Sequence, residues 1–334
     1  MVLLCVAGLG TPAQASATDP AEDKGSFGIS LLDVTPSHRS DPRALTKIVD
    51  HLTPGTVIKR RVLLISELHQ RRVIEIYPGA AAIGNGKLRV GEGHATNELT
   101  SWISLDHDRV GMSAGDKTPV EVTIRVPSTA TTGERYAMVW ASLSSKDNAR
   151  PGGSQIDAVN RVGIRIYLHV GPGDEPPSDF TIGTMVPALD DKGKPTVTVE
   201  VNNTGGRALD ITGEVSLSDG PDDTRAGPFS FDTTTLAPGE PGKLTASLPA
   251  NLADGPWKVR VSLTSGTVKH SAAGTITFPR AGEPGQPSRL SGVSTSWPTV
   301  GGALGVASAV VLTGLVWAAR RSRRMSAAAP RQAR

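Results

Sequence analysis

Between Arg161 and Val170 the side chains alternate without a break: Val162, Ile164, Ile166, Leu168 and Val170 are apolar, and Arg161, Arg165, Tyr167 and His169 fall between them. A period of two puts successive side chains on opposite faces of an extended chain, so this segment is a strand with one buried face. The pattern recurs in Val120, Val122, Ile124 and Val126 against Glu121, Thr123 and Arg125, and in Trp257, Val259, Val261 and Leu263 against Lys258, Arg260 and Ser262. Tyr136 to Leu143 is apolar on both faces and reads as a central strand. No stretch before residue 300 carries a convincing 3.6-residue period. The 37 glycines and 25 prolines among 334 residues exceed the roughly 12% of average usage and suit many short strands joined by turns. The expected class is all-β, as two tandem Ig-like β-sandwiches.

An internal repeat divides the chain. Ala114-Gly115 precedes Val120–Pro127, then Gly133, then Tyr136 and Met138; Pro238-Gly239 precedes Leu244–Pro249, then Gly255, then Trp257 and Val259. Proline ends pairing and glycine permits the turn in each copy. A related turn, Thr53-Pro54-Gly55, opens a strand from Val57 to Ile65. The first sandwich is expected over 26–170 and the second over 178–279, joined by the proline-stiffened linker 171–178. Residues 280–299, rich in Pro, Gly and Ser, read as a stalk.

Both ends resemble targeting segments. A short apolar run over residues 2–10 leads into small residues at Ala13, Ala15 and Ala17, so 1–17 reads as a signal peptide. Val300 to Ala319 is twenty residues without a charge, about 30 Å of helix and enough to span a bilayer. Trp297 and Trp317 sit near its ends as interface anchors, and Arg320, Arg321, Arg323 and Arg324 follow. The positive-inside bias then makes 320–334 a basic cytoplasmic tail. No Leu-Pro-x-Thr-Gly motif precedes the apolar run, so the expectation is a single-pass plasma-membrane protein with both sandwiches outside.

Charge and motifs exclude several function classes. The tail carries six arginines and no acid, so the pI of about 9.1 does not report a nucleic-acid face. Residues 26–170 hold 18 basic and 14 acidic side chains, whereas 174–278 hold 8 and 14. The sole cysteine, Cys5, lies in the N-terminal run, which leaves the domains without a disulfide or a thiolate. There is no G-x-S-x-G, H-E-x-x-H or Walker-type loop, and a non-enzymatic protein without a cofactor or metal is expected. Gly84-Asn-Gly86 has no helix behind it to cradle a phosphate. Asp106-His107-Asp108, Asp190-Asp191 and Asp219 to Asp223 read as turns, with a calcium loop as the alternative for the last two. Trp102 and Trp140 sit within apolar strands and read as core.

Lys59, Arg60, Arg61, Arg71 and Arg72 lie on two successive strands. Paired as a hairpin through Ser66–Gln70, they gather five positive charges at its outer end. Such a patch either meets an anionic wall polymer or decorates a solvated edge.

The exported region resembles the WxL-interacting class of Gram-positive surface proteins. The resemblance rests on Leu52-Thr-Pro-Gly55, Asn97-Glu-Leu-Thr-Ser-Trp102, Gly133-Glu-Arg-Tyr-Ala-Met-Val-Trp140 and Arg161-Val-Gly-Ile-Arg-Ile-Tyr167. Asn202-Asn-Thr-Gly-Gly206 and Leu236-Ala-Pro-Gly239 match Ig-like sandwiches generally. The resemblance implies a peptidoglycan-binding first domain and, for the whole chain, a partner in peptidoglycan, another wall polymer or a surface protein. The alternative expectation is an accessory ectodomain that scaffolds a membrane protein complex.

Overall fold

The computed structural model describes residues 25–34, 41–144, 159–253, 255–280, 283–288 and 291–295. In the first sandwich the order is β1 (Phe27–Leu31), β2 (Ile48–Leu52), β3 (Val57–Ser66), β4 (Arg72–Gly84), β5 (Lys87–Val90), a one-turn helix α1 (Glu98–Trp102), β6 (Ile103–Leu105), β7 (Arg109–Met112), β8 (Lys117–Arg125), β9 (Gly133–Ser144) and β10 (Val159–Val170). One sheet runs β1-β3-β8-β6; the other runs β2-β10-β9-β4-β5, with β7 also on β4. Val62, Leu64, Val120 and Val122 from the first sheet meet Ile74, Ile76, Val139 and Ile166 from the second, all almost fully buried. The alternation thus becomes a two-layer core, as sheet packing requires.

The second sandwich contains β11 (Phe180–Leu189), β12 (Pro195–Asn203), β13 (Leu209–Ser218), β14 (Ala226–Ser230), β15 (Thr234–Leu236), β16 (Pro241–Ser247), β17 (Pro256–Ser265), β18 (Val268–Thr277) and β19 (Ser291–Thr295). Its sheets are β11-β12-β16 and β14-β13-β17-β18-β19, with β15 beside β13. β19 falls inside the stretch read as a stalk; it pairs antiparallel with β18.

The sequence repeat is also a repeat of backbone geometry. Gly115 and Gly239 turn into β8 and β16 at φ of 82° and 74°; Gly133 and Gly255 open β9 and β17 at φ of 139° and 140°. These angles lie where a side chain on Cβ is strained, so glycine is required at equivalent points of both copies.

The expected β3–β4 hairpin does not form. β3 pairs with β1 and β8, and β4 pairs with β9, β5 and β7 in the opposite sheet. The connection carries Leu68, only 2% exposed and part of the core. Burying that leucine draws the loop across the end of the sandwich, and alternation alone specifies which face is inside, not which strand is the neighbour. Trp102 is core but ends α1 rather than lying in a strand, and α1 is fixed by a capping box between Asn97 and Thr100. Trp140 is 8% exposed, yet it belongs to a separate cluster on the outer face of β9 with Tyr77, Ala81 and Met138.

Candidate functional site

The five cations read as a patch are dispersed. Lys59 and Arg61 face outward from β3, where Lys59 pairs with Glu121 at 2.7 Å and Arg61 with Asp33 at 2.8 Å. The Arg61 guanidinium holds the Asp33 carboxyl below its usual range. Arg60 has the opposite parity and reaches Asp50 of β2, which is 4% exposed. Arg71 packs over Gly111, and Arg72 donates to the Ser144 carbonyl at 2.9 Å. The residues occupy two sheets and form no single cationic surface, because β3 and β4 never pair. Trp297, Trp317, Arg320, Arg321, Arg323 and Arg324, like the 300–319 span and the 1–17 signal peptide, lie outside the described residues.

The aspartate-rich segments serve their own backbones. Asp190 accepts from the Lys192 and Lys194 amides, and Asp106 accepts from the Glu121 amide. Among the described residues no group of three or more His, Cys, Asp or Glu is arranged to hold a metal ion.

Two buried carboxylates, one from each sandwich, fasten the domains together. Glu134 at the start of β9 accepts from Tyr136 Oη at 2.7 Å, from the Ala208 amide at 2.7 Å and from Arg207 Nε at 3.2 Å. Burial raises the Glu134 carboxyl and lowers the Arg207 guanidinium, while their attraction acts against both shifts. In the other direction Asp210 on β13 takes an ion pair from Lys47, a hydrogen bond from Thr235 Oγ1 at 2.6 Å, and longer contacts from Arg165 and Tyr167 at 3.4 Å. Burial, with Arg165 and Arg43 nearby, brings the Lys47 ammonium down to about 8.

The linker is tied as well. His51 donates to the Gly173 carbonyl, Arg207 pairs with Glu175, and Arg43 reaches Ser178 Oγ. Further along, Thr235 donates its amide to the Gly86 carbonyl, and Glu240 accepts from the Asn85 amide. A cleft of about 690 Å³ opens beside that contact, between the β4–β5 turn and the β12–β16 ladder. Its charges, Lys87, Lys243, Glu200 and Asp232, are balanced in sign.

The free edge lies on β10. All twelve residues of β10 pair with β9, but β2 covers only Ile166 to Val170. Residues 159–165 have no strand on their other side among the described residues. In an antiparallel ladder every second backbone amide and carbonyl of such a segment points outward. On the core side of this half-edge stand Val162 and Ile164; Val162, Phe27, Ile29 and Leu31 are only partly buried, and Val159 is 55% exposed. Among the described residues, β1 and the first half of β10 thus meet through side chains that are only partly buried.

On the outer face the six-membered part of the Trp140 ring lies over Gly163, and its pyrrole edge lies over Gly79. A methyl group placed at those glycines would come within 2.7 and 2.5 Å of the indole. Arg161 covers the ring at 4.6 Å. Sequence reasoning missed this edge; the one signal available was a long alternating strand with no partner of matching length beside it.

No family model matches the chain, and neither does any curated protein. Solved structures do. A chain of a chaperone–tip adhesin complex of CFA/I fimbriae is 14% identical, spans 80% of this chain and 100% of its own, and has a TM-score of 0.36. The Escherichia coli chaperone DraB is 9% identical over 66% of this chain and 89% of its own, with a TM-score of 0.37. A chain of the Salmonella enterica SafA pilin–SafB chaperone complex is 8% identical over 72% and 90%, with a TM-score of 0.39. At such identities and scores, none of these likenesses transfers activity, partner or location to this chain.

These findings correct the resemblance to the WxL-interacting class. No family model, peptidoglycan-binding or other, matches, and structures from fimbrial and pilus chaperone systems are among those found. The binding of peptidoglycan, another wall polymer or a surface protein falls with that resemblance, and the alternative, an ectodomain scaffolding a membrane complex, is corrected with the membrane placement. The single-pass plasma-membrane placement is corrected too: no helix among the described residues is long and apolar enough to cross a membrane.

Proposed function

We propose that this chain is a binding protein that takes an extended segment of another protein as an added strand on β10, residues 159–165. One observation carries the reading: a half-strand with no neighbour on one side among the described residues, beside which Val162 is only partly buried. Exposed edges of this kind are normally blunted by charge, proline or a covering loop. Here the core-facing positions are Val162 and Ile164, the composition that completes a core once a neighbour arrives. In strand addition the backbone ladder supplies affinity, and alternate side chains supply specificity. The two-carboxylate junction contributes by holding β2 and β10 in place, so the edge is set before the partner comes. In this reading the protein acts by recognition, without catalysis.

Amide hydrogen exchange tests it. In the free chain, the outward amides of 159–165 exchange faster than those of 166–170. An alternating apolar peptide added in excess slows the first group, and the same peptide methylated on alternate backbone nitrogens does not. Equal protection of both halves in the free chain, or no peptide effect at millimolar concentration, would remove the proposal.

A further inference from the structure

The β10 edge has a second face, and its side chains restrict what the incoming strand can be. This step rests on the strand-addition reading. Residues 161, 163 and 165 share the outward parity of β10 and stand opposite Ser142, Trp140 and Met138 of β9. The outer edge therefore reads cation, gap, cation: Arg161, Gly163, Arg165.

Both arginines have charge to spare. Arg161 lies on the Trp140 ring and has no carboxylate partner among the described residues. Arg165 meets Asp210 only at 3.4 Å and keeps 42% of its side chain exposed. The single charge of Asp210 is already shared with Lys47, which is more buried. Among the described residues, two guanidiniums thus flank the edge with at most part of one compensating carboxylate. Between them Gly163 carries no side chain, because the buried Trp140 indole lies over it and a methyl group there would be 2.7 Å from Cε3.

From this geometry we infer that the partner segment carries a five-residue pattern of acid, apolar, uncharged, apolar, acid. The second and fourth side chains take the core-facing side beside Val162 and Ile164. The third stands beside Gly163, and the first and fifth meet Arg161 and Arg165. Cross-strand neighbours at these spacings sit about 4.5–5.5 Å apart, within reach of a carboxylate–guanidinium pair. Because the pattern is the same in both directions, it holds whether the added strand runs parallel or antiparallel to β10. A basic segment of equal hydrophobicity is disfavoured, because like charges placed opposite one another repel.

The test is a calorimetric titration of the full chain with two capped peptides, Thr-Glu-Val-Tyr-Val-Glu-Thr and Thr-Lys-Val-Tyr-Val-Lys-Thr, with amide exchange of 159–165 followed in parallel. The glutamate peptide is expected to bind about tenfold more tightly, since two exposed pairs are gained and two repulsions avoided. The preference should shrink in 0.5 M salt and reverse when Arg161→Glu and Arg165→Glu are combined. The milder Arg161→Gln with Arg165→Gln should abolish it while leaving edge protection by either peptide intact. Equal affinities with protected 159–165 amides would overturn the acidic pattern and leave strand addition standing. If neither peptide protects those amides, strand addition itself fails, and the inference with it.

Discussion

The carboxylate of Glu134 in the first sandwich and the guanidinium of Arg207 in the second meet at 3.2 Å, with 3% and 2% of their side chains exposed. Such a pair exists only because each charge is fully engaged: Glu134 also accepts from Tyr136 and from the Ala208 amide, and Arg207 also pairs with Glu175 of the linker. Burial raises the Tyr136 hydroxyl well above its usual range, so it remains a donor to Glu134 throughout the accessible pH range.

Removing one member of this pair leaves the other charged and buried, which costs about 3–5 kcal/mol. Glu134→Met and Arg207→Met should each lower the stability to denaturant by that order. The double replacement Glu134→Met with Arg207→Met should be well short of additive, because no uncompensated charge remains. Additive losses in an urea-unfolding double-mutant cycle would show that the two side chains act separately.

Acid should loosen the linker. His51 Nε2 faces the Gly173 carbonyl at 2.9 Å, and a carbonyl only accepts, so His51 donates there and, when neutral, offers its Nδ1 lone pair to His169 Nδ1–H, also at 2.9 Å. Burial, aided by His51, Arg207 and Arg135, holds the His169 imidazole below its ordinary 6.5. The unfolded chain then takes up the proton first. The contribution of His169 is complete above about pH 6.5 and is lost as pH falls through its lower folded value. Thermal midpoints measured from pH 7.5 to 5 should fall less steeply for His169→Phe than for the parent chain. Parallel curves would refute the assignment.

Gly79 is confined by the indole beside it. An added Cβ would sit 2.5 Å from Trp140 Nε1, so Gly79→Ala must push the ring toward the β10 edge. The expected loss is about 1–3 kcal/mol, typical of overpacking, with a change in the near-UV circular dichroism of tryptophan. An unchanged spectrum and stability would show that the ring has room to shift.

Gly133 tests the repeat. Nothing lies within 4 Å of where its Cβ would be, so Gly133→Ala meets no clash and reads the backbone angle alone. A loss of about 1–3 kcal/mol is expected for a side chain held in this region. Gly255→Ala should lose more, because its Cβ would also come within 2.9 Å of Pro221. Denaturant midpoints for the two variants decide the order.

The strands were legible because alternation and turn glycines are local signals: Val162 to Val170, Gly115 with Gly239, and Gly133 with Gly255 all stand in the sequence as they stand in the fold. Sheet membership was not. β3 and β4 look like hairpin arms, and only the burial of Leu68, one apolar side chain in a polar connection, sends them to opposite layers. The cationic patch failed for the same reason, since Arg60 differs from its neighbours by parity and finds Asp50 across the core. Glu134, Arg207 and Asp210 gave no sign of their role: their partners are tens of residues distant, and a lone charge carries no periodic signature. The half-covered edge of β10 depends on where β2 begins relative to β10, a register that composition does not encode.

The three ties on the linker, from His51 to Gly173, Arg207 to Glu175 and Arg43 to Ser178, have a mechanical consequence. A slack tether would let one sandwich swing while the other is held. Under the proposed strand addition, tension applied at β10 would pass through this tied linker and the Glu134–Arg207 and Lys47–Asp210 contacts into the second sandwich, so the two sandwiches are expected to bear load together rather than to swing apart.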